Sequence, residues 1–182
     1  RNFYFSVLID ELNTDDLLRP GSARNQLGYT AGVHTYDLLV ENTEFSVEYS
    51  RLNPWTYSHK YPAATFTNNG YDLGHWIGQN ADLLSLEAGY RPLRKVRVGA
   101  FYDHYRKGGF KDVAYQYIIP SQPFLYDLQH EERSYGLSGR FQPVRDLFLD
   151  AKVRTRTLTD MLTGANKERK LEFQISASYG IW

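Results

Sequence analysis

Leu171-Glu172-Phe173-Gln174-Ile175-Ser176-Ala177-Ser178-Tyr179-Gly180-Ile181-Trp182 closes the sequence, and apolar and polar residues alternate along it. Successive side chains of a strand point to opposite faces of a sheet, so this stretch predicts a strand with one apolar and one polar face. Strands of a transmembrane β-barrel have this pattern, with one face in lipid, the other in a polar lumen, and aromatic residues at the interface. The stretch therefore predicts the closing strand of such a barrel.

The composition limits the alternatives. The 182 residues include 15 Tyr, 10 Phe and 3 Trp, and no apolar run approaches the roughly 20 residues of a membrane-spanning helix. A helical membrane protein is excluded, whereas a soluble β-protein stays possible. Lys+Arg and Asp+Glu number 21 each, so no charge excess points to nucleic acid. The chain contains no Cys, which fits an exported bacterial protein.

Eight extended segments follow from the alternation. They are predicted at 2–10, 27–40, 43–58, 81–91, 95–106, 133–142, 147–160 and 170–182. The connections between them alternate between short, near 41–43, 91–94 and 142–146, and long, near 11–26, 59–80, 107–132 and 161–169. Bacterial outer-membrane barrels have short periplasmic turns and longer outer loops. The sequence thus predicts an all-β, antiparallel transmembrane barrel in the bacterial outer membrane, with a periplasmic C-terminus.

The predicted inward positions carry both signs of charge. The acids are Glu44, Glu48, Glu87, Asp103, Asp150 and Glu172, and the bases are Arg91, Arg97, Arg140, Lys152, Arg154 and Arg156. Such a set suits a wet, ion-paired lumen, because unpaired charges in a dry core are very costly. The alternative is that the ladder of Lys152, Arg154 and Arg156 attracts an anionic solute or sugar chain.

Aromatic residues are predicted at both rims. Phe3, Phe45, Tyr90, Phe141, Phe148, Tyr179 and Trp182 fall near the periplasmic rim, and Trp55, Tyr57, Tyr102 and Tyr105 near the opposite one. Those on the outward face would form the two aromatic girdles of a membrane barrel.

Two stretches resemble a known family. Glu48-Tyr49-Ser50-Arg51-Leu52-Asn53-Pro54-Trp55-Thr56-Tyr57-Ser58-His59 and Asn69-Gly70-Tyr71-Asp72-Leu73-Gly74-His75-Trp76-Ile77-Gly78-Gln79-Asn80-Ala81-Asp82 look like the C-terminal half of the Wzi-like capsule assembly proteins. The opening Phe3-Tyr4-Phe5-Ser6-Val7-Leu8-Ile9-Asp10-Glu11 is similar to a strand that precedes this region in them. The resemblance implies an outer-membrane barrel with more than eight strands that holds surface polysaccharide. Residues 1–182 would then be a single domain, the C-terminal segment of a longer barrel.

The loop at 59–80 mixes aromatic rings with amides and carboxylates, which is what carbohydrate recognition uses. With the resemblance, the expected polysaccharide-binding residues are Trp55, His59, Tyr61, Tyr71, Asp72 and Trp76. The alternative is that this loop packs on itself or plugs the lumen, because a long ordered loop needs contacts of its own. The apolar loop at 107–132 is expected to cover the barrel mouth or meet a partner protein.

No catalytic motif is present, and the spacing of His59, His75, His104 and His130 matches no metal-ligand pattern. We therefore expect a protein that is not an enzyme and has no cofactor and no metal. Expected partners are outer-membrane lipids including lipopolysaccharide, surface polysaccharide and other outer-membrane proteins, but not nucleic acid. A porin-like channel and a scaffold subunit of a larger complex are the alternative functions.

Overall fold

The computed structural model describes residues 1–12, 25–61, 66–68, 71–118, 122–164 and 166–180. Eight long strands form one antiparallel sheet: β1 (Asn2–Glu11), β2 (Gln26–Tyr36), β3 (Thr43–Leu52), β6 (Ala81–Leu93), β7 (Val96–Lys107), β8 (His130–Phe141), β9 (Leu147–Asp160) and β10 (Asn166–Tyr179). Between β3 and β6 the chain forms a short hairpin of β4 (Thr67–Asn68) and β5 (Tyr71–Asp72). A 3₁₀ turn spans Val113–Tyr117. Each long strand pairs with the next long strand in the sequence.

The prediction of an all-β antiparallel fold is confirmed, whereas the sheet is not closed into a barrel. Within the described part of the chain, β1 pairs only with β2 and β10 only with β9. The positions 181 and 182, which include the predicted rim residue Trp182, lie outside the described residues.

Two predicted strands are shorter in the structure. The strand expected at 27–40 ends at Tyr36, because Asp37 has a φ of 52° and its N–H bonds Thr43 O at 2.9 Å to close the turn. The strand expected at 43–58 ends at Leu52, since Trp55 and Tyr57 have φ values of 62° and 74° that no strand accommodates. Both errors arise because side-chain alternation continues past the last ladder hydrogen bond.

The two faces of the sheet differ in chemistry. One, the apolar face, presents exposed aliphatic and aromatic side chains from across the sheet: Phe3, Phe5, Val7, Ile9, Val47, Tyr90, Val98, Tyr135, Leu137, Phe141, Leu149, Leu171, Phe173, Ile175 and Tyr179. The other, the polar face, presents the predicted inward charges, and several form ion pairs: Arg140 with Asp150 on the neighbouring strand, and Glu44 on β3 with Arg97 on β7, across the intervening β6. Of the four aromatics expected at the rim opposite the turns, only Tyr102 shares the apolar face.

A small core covers the loop end of the polar face. Leu52, Ile77, Ala81 and Leu83 are buried there, and Leu8, Tyr57 and Tyr105 pack against them. Ile77 belongs to the 53–80 connection, so this loop folds over the sheet, as the plug alternative expects.

Asn80 joins this loop to the 108–129 connection. Its buried amide nitrogen donates to Gly109 O at 3.0 Å and Tyr126 O at 3.2 Å, and its side-chain oxygen accepts from Leu125 N at 2.8 Å. The two long loops therefore form one packed unit at one end of the sheet.

Candidate functional site

Trp76 is the most prominent side chain of the loop unit. Its side chain is 71% exposed and its ring lies 5.6 Å from the ring of Tyr105, which projects from β7 on the polar face. The segment around Trp76 is held in place, because Ile77 is buried and His75 N donates to the hydroxyl of Tyr57 at 3.1 Å. The loop thus holds the exposed ring of Trp76 in a fixed position over the polar face.

A cavity of about 620 Å³ lies between Trp76 and the polar face. Besides Trp76 and Tyr105, its lining includes the charged residues Glu48, Asp103, Glu132, Arg154 and Arg156 and the hydroxyl groups of Ser85 and Ser134. These residues come from β3, β6, β7, β8 and β9 and one loop, so five strands shape a single site.

Hydrogen bonds order the charged groups of this cavity. Asp103 accepts from Ser85 Oγ at 2.8 Å and lies 3.8 Å from Arg154, whose Nη2 also donates to Ser134 Oγ at 2.9 Å. Arg156 Nη2 donates to Glu132 at 2.6 Å. These bonds use one nitrogen of each guanidinium, and a guanidinium carries five N–H donors. The cavity therefore combines an aromatic surface with donors and acceptors for a hydroxyl-rich ligand.

The structure brings together residues that the sequence analysis placed in separate groups. Trp76 was expected in an outer loop, and Arg154 and Arg156 in the lumen, yet they line one cavity. Tyr105 and Glu132 were not predicted as site residues, although the alternation of β8, extended back to His130, places Glu132 on the face of Ser134.

The remaining predicted loop residues lie elsewhere. Trp55 is 1% exposed, its ring stacks on Tyr126 at 5.5 Å and its Nε1 donates to Asp112 O, so it has no free face for a sugar. His59 lies 3.3 Å from Asp10 and lines a second cleft of about 840 Å³, between the two loops, that also contains Phe110.

Tyr61 is exposed and lines neither cavity. Tyr71 and Asp72 form β5, and their side chains lie outside the described part.

The other predicted lumen charges lie further toward the turn end. Glu87 is exposed on the polar face, and Arg91 lines a shallow pocket beside the turn that links β2 and β3. Lys152 Nζ lies 4.2 Å from the ring centroid of Phe101 in a cation–π contact. Along the described chain, Lys152 makes no ion pair within 4.0 Å.

The protonation state of His75 affects a hydrogen bond within the loop. Burial lowers the pKa of His75 from its ordinary 6.5, and the charge of Glu48 offsets part of this effect. The ring nitrogen Nδ1 lies 3.3 Å from Ile77 N and accepts its hydrogen bond, which requires the neutral ring. Both observations favour the neutral form.

Among the residues that the structure describes, no group of three or more His, Cys, Asp or Glu side chains is placed to hold a metal ion. The helical segment among the described residues, the 3₁₀ turn at Val113–Tyr117, is not long and apolar enough to cross a membrane.

The chain matches no family model, no curated protein and no solved structure.

Proposed function

We propose that this chain is part of an outer-membrane β-barrel that binds surface polysaccharide and is not an enzyme. The apolar face supports the membrane location, because soluble proteins rarely expose contiguous apolar patches above a few hundred Å². Here such side chains extend from Phe3 on β1 to Ile175 on β10, which is 85% exposed. The polar face would line the lumen, with the short turns and the C-terminus on the periplasmic side.

The unpaired edges of β1 and β10 support a place in a larger barrel. Exposed strand edges invite pairing, and closure removes them. Additional strands between these two edges would complete the wall. The resemblance to the Wzi-like family, which has more than eight strands, is part of this proposal.

The cavity below Trp76 carries the proposal of polysaccharide binding. Aromatic rings stack on the apolar face of a sugar, while carboxylate, hydroxyl and guanidinium groups bond its hydroxyls. Trp76 and Tyr105 supply the rings, and Asp103, Glu132 and Arg156 supply the polar partners. The polysaccharide would enter from the loop side and contact the upper polar face.

The test is retention of surface polysaccharide by cells that carry Trp76→Ala. We expect retention to fall about tenfold, because loss of a stacking ring costs about 1 to 1.5 kcal/mol. Phe110→Ala is the matched control, since Phe110 is equally exposed but lines the other cleft. Unchanged retention in Trp76→Ala would remove the proposal, and a loss only in Phe110→Ala would move the site to that cleft.

A porin-like channel is the second candidate, and Lys152 favours it. Among the described residues Lys152 has no carboxylate pair, and such a cation on the polar face attracts anions into a lumen. Single-channel recording distinguishes the two, because Lys152→Gln would shift ion selectivity toward cations in a conducting barrel. A barrel closed by its loops would give no conductance to shift.

A further inference from the structure

The apolar face changes character at the end nearest the long loops. From β3 to β10, its last residues before the loops include five cations, Arg51, Arg106, Arg133, Lys167 and Arg169, and two acids, Asp82 and Glu131. At the turn end the strands of the same face finish with residues that include Tyr90, Phe141, Leu147 and Tyr179, and the exposed cations Arg94 and Arg145 lie in the turns. The two borders of the apolar surface therefore differ, because the cations lie on the strands at the loop end and in the turns at the other end.

The two acids position cations. Asp82 has a side chain that is only 3% exposed and accepts from Arg106 at 2.5 and 2.9 Å. Glu131 lies 2.6 Å from Arg133 and 2.8 Å from His104. The side chain of Arg133 is still 57% exposed. These pairs fix the guanidinium groups and leave part of each open to a ligand.

The most open cations flank one hydroxyl group. Arg133 on β8 and Arg169 on β10 both pair with Thr157 on the intervening strand β9. Adjacent strands lie about 4.8 Å apart, so the Cα atoms of the two arginines are about 10 Å apart. Arg169 Nη2 is oriented by the hydroxyl of Tyr135 at 3.2 Å. Guanidinium groups bind phosphate through paired N–H donors, which makes this row suitable for a phosphate group.

A groove leads from this row into the apolar face. Along β9, the small side chains of Thr155, Val153 and Ala151 lie between a ridge on β8 and a ridge on β10. Tyr135 and Leu137 form the first ridge, and Leu171 and Phe173 form the second. Beside Ala151, Gly139 widens the groove, because a Cβ there would meet no atom within 4 Å.

We propose that this surface binds a phosphorylated glycolipid of the lipopolysaccharide type. Its phosphate lies on Arg133 and Arg169, and one acyl chain lies in the groove along β9. The cations that lie on the strands themselves border the long loops, which matches the leaflet that carries this lipid if the loops are extracellular. The inference rests on the proposed membrane location.

The experiment uses the natural protein reconstituted in phosphatidylcholine nanodiscs that contain lipid A. Bound lipid A is measured by native mass spectrometry after exchange into detergent. We expect Arg133→Gln and Arg169→Gln each to weaken retention about tenfold, because each removes charge-assisted hydrogen bonds. Lys170→Gln is the matched control, since Lys170 adjoins Arg169 in sequence but faces the polar side and pairs with Glu168 at 3.0 Å.

Ala151→Trp tests the groove without changing a charge, and we expect it to weaken retention as well. Discs that contain phosphatidylglycerol in place of lipid A give the comparison with a simple anionic lipid. Equal retention of the two lipids, or an equal loss of lipid A in Lys170→Gln, would overturn the inference. Insertion into discs of phosphatidylcholine alone tests the membrane location independently. A protein that inserts but shows no preference for lipid A overturns only this inference, whereas failure to insert removes the membrane proposal too.

Discussion

Asn80 shows how one residue holds the loop unit together. Its φ of 51° lies in the left-handed region, which Asn and Asp tolerate, and its side chain makes three hydrogen bonds while fully buried. No sequence pattern distinguishes it from the other Asn residues, because its partners Gly109, Leu125 and Tyr126 are far along the chain.

We expect Asn80→Asp to lower the free energy of unfolding by about 3 kcal/mol, because a buried carboxylate would face the carbonyls of Gly109 and Tyr126. Thermal unfolding in detergent measures this change. Asn42→Asp is the control, since Asn42 has a φ of 61° but is exposed, and we expect a change within about 0.5 kcal/mol. Equal effects of the two substitutions would show that the three buried hydrogen bonds of the Asn80 amide do not stabilise the fold.

At the scale of elements, sequence alternation predicts the strands well because it reports a local property. The register of β7, β8 and β9 follows the predicted faces without interruption. The loops are different, since their packing depends on contacts across the chain. The stacking of Trp55 on Tyr126 and the cavity that Trp76 and Arg154 both line each join segments that only the folded sheet brings together.

The stability of the loop segment around His75 is expected to depend on pH. Because burial lowers the pKa of His75 in the folded loop, the unfolded segment binds a proton more readily as pH falls below about 6.5. The stabilising effect is complete above that value and is lost as pH falls from it toward the lowered pKa. We therefore expect the amides of 73–80 to exchange faster at pH 5.5 than at pH 7.5, after correction for intrinsic exchange.

His75→Asn is the control for this measurement, because an Asn side chain also accepts from Ile77 N but does not titrate. Its exchange is expected to be independent of pH over the same range. A similar pH dependence in both proteins would assign the effect to a group other than His75.

The side chains and loops that cover the polar face bear on the number of strands in the proposed barrel. A closed barrel of eight strands has an interior that side chains just fill. Here the polar face carries long charged side chains, and Trp76 and Ile77 also reach over it above a cavity of about 620 Å³. If the proposed barrel forms, these contents favour more than eight strands.

We accordingly expect the natural protein, extracted in detergent, to have an intact mass well above the 21.1 kDa of this chain. N-terminal sequencing of the same sample would identify the residues that supply the extra strands. A mass near 21.1 kDa would contradict the larger barrel and, with it, the proposed relation to the Wzi-like family.

The strand order of the sheet affects how the number of strands in the proposed barrel can change during evolution. Each long strand of the described sheet pairs with its neighbours in sequence, so no pairing within this sheet depends on a distant part of the polypeptide. Duplication or deletion of one hairpin would therefore leave the register of every other pair intact. In the proposed barrel, diameter would become a matter of hairpin number, which gene duplication alters in whole steps, while the loop unit could diverge independently.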